Sequence, residues 1–143
     1  MDRHTTTTMG IAMRRAILMM LLAVVSTGAA ADWVLVSGGA ADDISAYADP
    51  ATIRKMDSRI IMWTLIDYKT AQKTDGKTFM SVRSQNEYDC QEGQSRISYA
   101  NVHSKNMAGG EIISTSIKPR EWEPIEPGSV GEALWKIACG VKR

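Results

Sequence analysis

Residues 59–69 carry the clearest alternation of side-chain types in the chain. Ile61, Trp63 and Leu65 fall on one side at the two-residue spacing of a β-strand. The positions between them are also mostly apolar as far as Ile66, so both faces of this segment are suited to burial. The pattern predicts a central strand that is covered on both sides for part of its length.

Shorter alternating runs surround this strand and are separated by turn residues. They predict further strands over residues 33–36, 44–48, 78–85, 95–102 and 111–117. Asp75-Gly76 is a hairpin signal, and it lies in a polar segment, 70–77, that we expect to form a loop. Pro50 favours one helical turn over residues 51–56.

The chain changes character after the last predicted strand. Residues 118–127 contain three prolines and are expected to be extended. Ser129 and Glu132 have the spacing of a capping box, which predicts a helix beginning at Val130 and ending before Gly140. The predicted fold is α+β, with one antiparallel β-meander of five or six strands and a C-terminal helix packed on one face.

The first 31 residues predict a secretory signal peptide. Two arginines precede an apolar run over residues 16–25, and Ala29 and Ala31 supply the small side chains that a signal peptidase requires. The run is shorter than the roughly 20 residues of a membrane-spanning helix, although an uncleaved anchor is the alternative. We expect cleavage before Asp32, which leaves a single domain over residues 32–143.

Charge and composition fit an exported globular domain. The chain has 17 Lys+Arg, 16 Asp+Glu and a net charge of +1, which argues against binding of nucleic acid through a broad basic surface. The signal segment holds three arginines and one aspartate, so the processed domain is slightly acidic. Because no cysteine lies near the cleavage point, we expect a periplasmic or secreted protein without a lipid anchor and with no membrane span after processing. Translation could also start at Met9 or Met13.

Cys90 and Cys139 are the only two cysteines. An even number in an exported chain predicts one disulfide, and closing a loop of about 50 residues stabilises by roughly 4 kcal/mol if chain entropy dominates. The alternatives are a redox pair or a metal site. The chain has no Cys-x-x-Cys motif, and His103 is the only histidine after the signal segment, whereas a zinc site needs four ligands. We therefore expect no metal site.

Several segments, taken in order, resemble the surface-adhesin protein E family of small exported Gram-negative proteins. The residues that carry the resemblance are Trp33, Tyr47-Ala-Asp49, Ile53, Trp63-Thr-Leu65-Ile-Asp67-Tyr68, Ser84-Gln-Asn-Glu87-Tyr-Asp89-Cys90, Met107-Ala-Gly109-Gly110, Trp122-Glu-Pro-Ile125-Glu-Pro127-Gly128-Ser129, Leu134 and Cys139. The resemblance implies an antiparallel sheet whose C-terminal helix is held by a disulfide. It also implies adhesion to host extracellular-matrix or serum proteins, and a homodimer.

The remaining chemistry-bearing residues each have a structural and a functional interpretation. Glu87 and Asp89 share a strand face and could act as an acid–base pair, or they could hold backbone donors and arginines. His103, four positions before Met107, could ligate haem iron, which is described in the family, or could be a loop histidine without a ligand. The sequence contains neither a nucleophile elbow nor a phosphate loop, so we expect no cofactor and no enzymatic activity.

Two features are candidates for a binding surface. Lys69, Lys73 and Lys77 flank the predicted hairpin, which could contact acidic glycans or a protein, or could be a solvated tip. Trp122 in the proline-rich segment could serve a protein interface, or it could be a core residue. The sequence thus favours a binding domain that resembles the family. The alternative is an envelope housekeeping module or an inhibitor of an envelope-directed enzyme.

Overall fold

Seven β-strands and one α-helix make up residues 31–140, the part of the chain that the computed structural model describes. The predicted signal peptide lies outside these residues, apart from Ala31, which like Asp32 has no regular secondary structure. The elements are β1 (Val34–Ser37), β2 (Ile44–Met56), β3 (Arg59–Thr74), β4 (Lys77–Asp89), β5 (Gln94–Lys105), β6 (Gly109–Ser116), β7 (Glu123–Pro124) and α1 (Val130–Ala138).

The strands form one antiparallel sheet in meander order. Strands β1 to β6 each pair with their neighbours along the chain. Strand β7 pairs with the first residues of β5, along the same edge of β5 that pairs with β6 further on. The predicted central strand is confirmed, because β3 lies between β2 and β4. Trp63 lies opposite Asp49 on one side and Gln85 on the other.

The sheet has two faces of different composition. Helix α1 lies over β1, β2 and β3 on one of them, which we call the helix face. Its core contains Ala48, Met62 and Tyr88, which pack against Leu134 and Ala138 of the helix. Because strand residues alternate between faces, the odd-numbered residues of β3 lie on the other side.

The C-terminal helix begins where the sequence predicts. The Ser129 hydroxyl accepts the Glu132 backbone N–H at 3.1 Å, which is one half of the predicted capping box. The reciprocal half is absent from the structure. The Glu132 carboxylate pairs instead with Lys136 at 3.0 Å, one helical turn away, and the Ser129 N–H donates to the Glu126 carbonyl at 3.3 Å. Gly140, at φ 69°, ends the helix as predicted.

The predicted disulfide joins the end of this helix to the sheet. Cys90 follows β4 directly, and its Cα lies 5.7 Å from that of Cys139, the C-cap of α1. The Trp135 indole N–H donates to the Asp89 carbonyl at 3.4 Å in the same region. These two contacts hold the helix to the turn between β4 and β5.

The predicted helical turn over residues 51–56 is wrong, because β2 continues through it. Pro50 lacks an N–H, and it lies where the β2–β3 pairing breaks between Asp49 and Arg54. The Thr52 hydroxyl repairs this break. It accepts the Trp63 backbone N–H at 3.0 Å and donates to the Asp49 carbonyl at 2.6 Å. Side-chain hydrogen bonds therefore let the strand pass the proline.

The predicted loop over residues 70–77 is also wrong in extent. The two strands of the hairpin continue beyond the rest of the sheet until Thr74 lies opposite Lys77. Only Asp75 and Gly76 form the turn, with φ values of 47° and 75°. Two consecutive positive φ angles match the twist of a two-residue hairpin, for which Asp-Gly is a favoured sequence.

Removing the helix cap should lower stability without changing the fold. We expect Ser129→Ala to reduce the free energy of unfolding by about 1 kcal/mol, because the Glu132 N–H loses its acceptor. Urea unfolding followed by circular dichroism measures this change, and Ser129→Asp is the control that keeps an acceptor. Equal urea midpoints for Ser129→Ala and the parent protein would contradict the assignment of Ser129 as the cap.

Removing the disulfide should cost more. We expect the double substitution Cys90→Ser and Cys139→Ser to lower the free energy of unfolding by up to about 4 kcal/mol, since the unfolded chain regains a long open loop. Urea midpoints of the parent protein with and without reductant provide an independent measurement. Two alkylatable thiols in the exported protein before reduction would contradict the bridge.

Candidate functional site

The three predicted surface lysines occupy two separate places. The Lys69 ammonium donates to the Ala40 carbonyl at 2.6 Å and so joins β3 to the connection between β1 and β2. Lys73 and Lys77 are exposed on either side of the Asp75-Gly76 turn. The tip of the hairpin therefore presents two lysines, and the third reinforces another part of the fold.

Trp122 takes part in a structural network. The Arg96 guanidinium lies over its indole ring at 4.6 Å and also forms an ion pair with Glu87. Arg59 reaches the same Glu87 oxygen at 3.4 Å. We call these four residues the arginine bridge. Since Glu87 is 7% exposed and has two cationic partners, the network fixes the proline-rich segment to the sheet.

The two carboxylates considered for acid–base chemistry have separate tasks. Glu87 belongs to the arginine bridge. One Asp89 carboxylate oxygen accepts the backbone N–H groups of Gln91 and Glu92, both at 3.0 Å, and so stabilises the turn between β4 and β5. These contacts favour the structural interpretation of both residues.

The side of the sheet opposite the helix carries large aromatic and cationic side chains. Arg83 stacks on the Trp63 ring at 4.0 Å, and Tyr99 meets the same ring edge-on with centroids 5.7 Å apart. We call this side the aromatic face. Beneath these side chains Leu65 is fully buried and Ile61 is 2% exposed.

The turn between β5 and β6 is folded back onto the aromatic face. One Asp67 carboxylate oxygen accepts the Met107 backbone N–H at 2.8 Å and the Asn106 amide at 3.1 Å. The Ser81 hydroxyl accepts the Ala108 N–H at 3.0 Å and donates to the Lys105 carbonyl at 2.6 Å. We call these contacts the turn clasp.

The turn clasp holds a strained backbone. Met107 and Ala108 have φ values of 55° and 56°, a region that costs a non-glycine residue about 1–2 kcal/mol. The clasp offsets this strain by satisfying both of their N–H groups. The sequence carries no local signal for the turn clasp, because Asp67 and Met107 are 40 positions apart.

His103 is a buried strand residue and not the exposed loop histidine that the sequence suggested. It lies on β5 opposite Ser81 and Ile112 and is 6% exposed. Neither ring nitrogen has a hydrogen-bond partner among the described residues. Burial lowers the pKa of the imidazole, the charge of Arg83 lowers it further, and the nearby Gly109 backbone opposes the shift in part. Met107, its proposed companion for haem iron, is exposed on the turn.

Two features are absent from the described residues. Residues 31–140 contain no group of three or more His, Cys, Asp or Glu side chains placed to hold a metal ion. Helix α1 is too short to cross a membrane, and no other helix occurs in this part of the chain.

The buried imidazole should make the protein less stable in mild acid. The folded state resists protonation of His103, while the unfolded chain takes up the proton below a pKa of about 6.5. The contribution of the neutral imidazole to the free energy of unfolding is therefore fully present above about pH 6.5 and is lost as the pH falls below that value. We expect His103→Gln to lose less stability than the parent protein between pH 7.5 and pH 5, measured by urea unfolding. Parallel pH profiles for the two proteins would contradict this role.

Comparison with solved structures identifies the same fold in Haemophilus influenzae protein E. Its crystal form II aligns with a TM-score of 0.52 and 11% identity, covering 66% of this chain and 80% of that one. Protein E from non-typeable Haemophilus influenzae aligns with a TM-score of 0.55 and 10% identity, covering 80% of this chain and 79% of that one. At such low identity the likeness establishes the fold alone. No curated protein matches the sequence.

A family assignment comes from the sequence itself. The family model described as Surface-adhesin protein E matches residues 33–140, a span that runs from the residue before β1 to the glycine after α1. It includes the disulfide, the arginine bridge and the turn clasp. The chain therefore belongs to the surface-adhesin protein E family.

Proposed function

We propose that the protein is an exported, non-enzymatic adhesin domain that binds an extended segment of a host matrix or serum protein along strand β6. Family membership supports the adhesin class. The location of the binding site is inferred from the unpaired outer edge of β6. In the part of the chain that the structure describes, β6 pairs with β5 on one side and with no strand on the other.

This edge lacks several devices by which proteins normally protect edge strands. Strand β6 contains neither proline nor lysine, and Glu111 is its single charged residue. Ile112 is 55% exposed, and Ile117, directly after the strand, is 77% exposed. Two pairing irregularities flank Ile112, and the strand runs regularly from Ser114 to Ser116 beyond them.

The edge strand on the opposite side of the sheet is shorter. Strand β1 has four residues and ends before Gly38, so it offers little length for pairing. The start of β5 is covered by β7. Strand β6 thus presents an unpaired edge of eight residues, which suits β-strand addition by a ligand.

The charges near β6 suggest the character of the ligand. Lys105 lies opposite the first residue of the strand, and Lys118 and Arg120 follow its end. An extended segment with acidic residues at its ends would complement them. Main-chain hydrogen bonds supply most of the affinity in strand addition and depend little on sequence, so one edge can accept segments of several host proteins.

A charged residue on the edge should weaken this binding. We expect Ile112→Lys to weaken binding to immobilised human plasma proteins and basement-membrane extract at least tenfold, because lysine on an edge strand opposes pairing. Surface plasmon resonance measures the change. Val34→Lys is the matched control, since Val34 is 48% exposed on the other edge strand, and it should bind like the parent protein.

Two results would overturn the proposal. One is equal binding by Ile112→Lys and the parent protein. The other is a parent protein that binds no component of either preparation. Analytical ultracentrifugation of the same variants tests the alternative occupant. A dimer that Ile112→Lys dissociates, with ligand binding unchanged, would assign the edge to a second copy of this chain.

The adhesin role also requires exposure of the protein at the cell surface. Protease treatment of intact cells, followed by fractionation, should degrade the processed protein while a periplasmic marker stays intact. Complete protection, with recovery in the periplasmic fraction, would contradict adhesion by this cell and favour the housekeeping or inhibitor alternative.

A further inference from the structure

A polar groove lies at the end of the sheet where the β1–β2 connection approaches the β5–β6 turn. Its volume is about 430 Å³, and residues from five segments line it. Leu35 and Tyr47 come from β1 and β2, Asp42 from their connection, Asp67 and Lys69 from β3, and Asn106 from the β5–β6 turn. The volume falls within the range of about 300–1,000 Å³ that small-molecule sites occupy.

Hydrogen bonds hold both walls of this groove in place. One wall is the β1–β2 connection, and the other is the β5–β6 turn. The Lys69 side chain bonds to the Ala40 carbonyl at 2.6 Å, and its backbone N–H bonds to the Asp43 carbonyl at 2.9 Å. Gly38 packs so closely that a Cβ would lie 2.3 Å from the Ile44 carbonyl oxygen, so only glycine fits there. The turn clasp fixes the other wall through Asp67. The groove is therefore preorganised, which lowers the entropic cost of binding.

The lining retains both donors and acceptors after these contacts are counted. Lys69 uses one of its ammonium protons on Ala40. The turn clasp uses Oδ1 of Asp67, and Asn106 donates through Nδ2 to Asp67 and to the Tyr68 carbonyl. In the described part of the chain, Asp67 Oδ2 and Asn106 Oδ1 remain as acceptors, beside the exposed Asp42 carboxylate and the Tyr47 phenol.

The charge and shape of the groove lining favour one chemical class of ligand. Two carboxylates and one ammonium give the lining a net negative charge, which disfavours phosphate, sulfate and uronic acid groups. Mixed donors and acceptors suit hydroxyl groups, each of which can donate and accept. The half-buried Tyr47 ring and Leu35 provide an apolar surface for the C–H face of a ring. We infer that the groove binds a neutral hexose or N-acetylhexosamine unit of a glycan.

This site and the proposed β6 interface are formed by different residues. None of the residues lining the groove belongs to β6, and the ligand is a sugar and not an extended peptide. Failure of one proposal therefore leaves the other standing. In particular, Ile112→Lys should leave sugar binding unchanged.

Titration of the processed, isotope-labelled protein tests the inference by nuclear magnetic resonance. The probes are di-N-acetylchitobiose, lactose and a sulfated heparin disaccharide. We expect saturable amide shifts at Ala40, Asp67 and Asn106 with at least one neutral disaccharide, and none in the groove with the sulfated one. Asp42→Asn and Tyr47→Ala should each weaken binding by about tenfold, the loss of one strong contact.

Asp75→Asn is the matched control, because it removes the same charge from the hairpin tip outside the groove. It should bind like the parent protein. Asp42 is exposed, so Asp42→Asn keeps the test valid if Tyr47→Ala unfolds the protein. The inference is overturned by a lack of saturable shifts with both neutral sugars, by shifts confined to residues elsewhere, by stronger binding of the sulfated sugar, or by equal affinity of Asp42→Asn and the parent protein.

Discussion

Strand β3 imposes the main constraint on this fold, because it must be buried on both faces while a helix covers one. Met62 on the helix face and Leu65 on the aromatic face are both fully buried. Helix α1, held by the disulfide, covers the first. On the second, the Arg83, Trp63 and Tyr99 side chains stack on one another, and Leu65 lies opposite Arg83 in the sheet. The sheet thus shields its own second face with long amphipathic side chains, which bury apolar stems and keep their polar ends in water.

This arrangement places the candidate sites at the periphery of the sheet. The arginine bridge and the aromatic stack use the large side chains of the aromatic face for stability. What remains for ligands is the unpaired β6 edge and the groove at the end of the sheet. Both depend on the turn clasp, because Asp67 positions the turn that leads into β6 and also lines the groove. A strained turn is maintained there by contacts that serve both sites.

Local signals in the sequence predicted most of the fold. Alternation along β3, Asp-Gly at the hairpin and the Ser129 cap each act within a few residues, so the sequence around them suffices. The errors fall where distant residues decide the outcome. Residues 51–56 stay extended because the Thr52 hydroxyl serves Trp63 on the next strand. Lys69 bonds to the Ala40 carbonyl, 29 positions away in the chain, and His103 is buried because it lies on β5 opposite Ser81 of β4.

The residues through which the sequence resembles the family are mostly scaffold residues, so the resemblance by itself names no ligand. Asp67, Glu87 and Trp122 belong to the resemblance, and each is engaged in the turn clasp or the arginine bridge. Ile112 and Ile117, the exposed residues at the β6 edge, lie outside that set. The groove combines both kinds of residue, since Tyr47 belongs to the family pattern and Asp42 at its rim does not. Specificity for a ligand therefore has to come from residues that the family pattern leaves free.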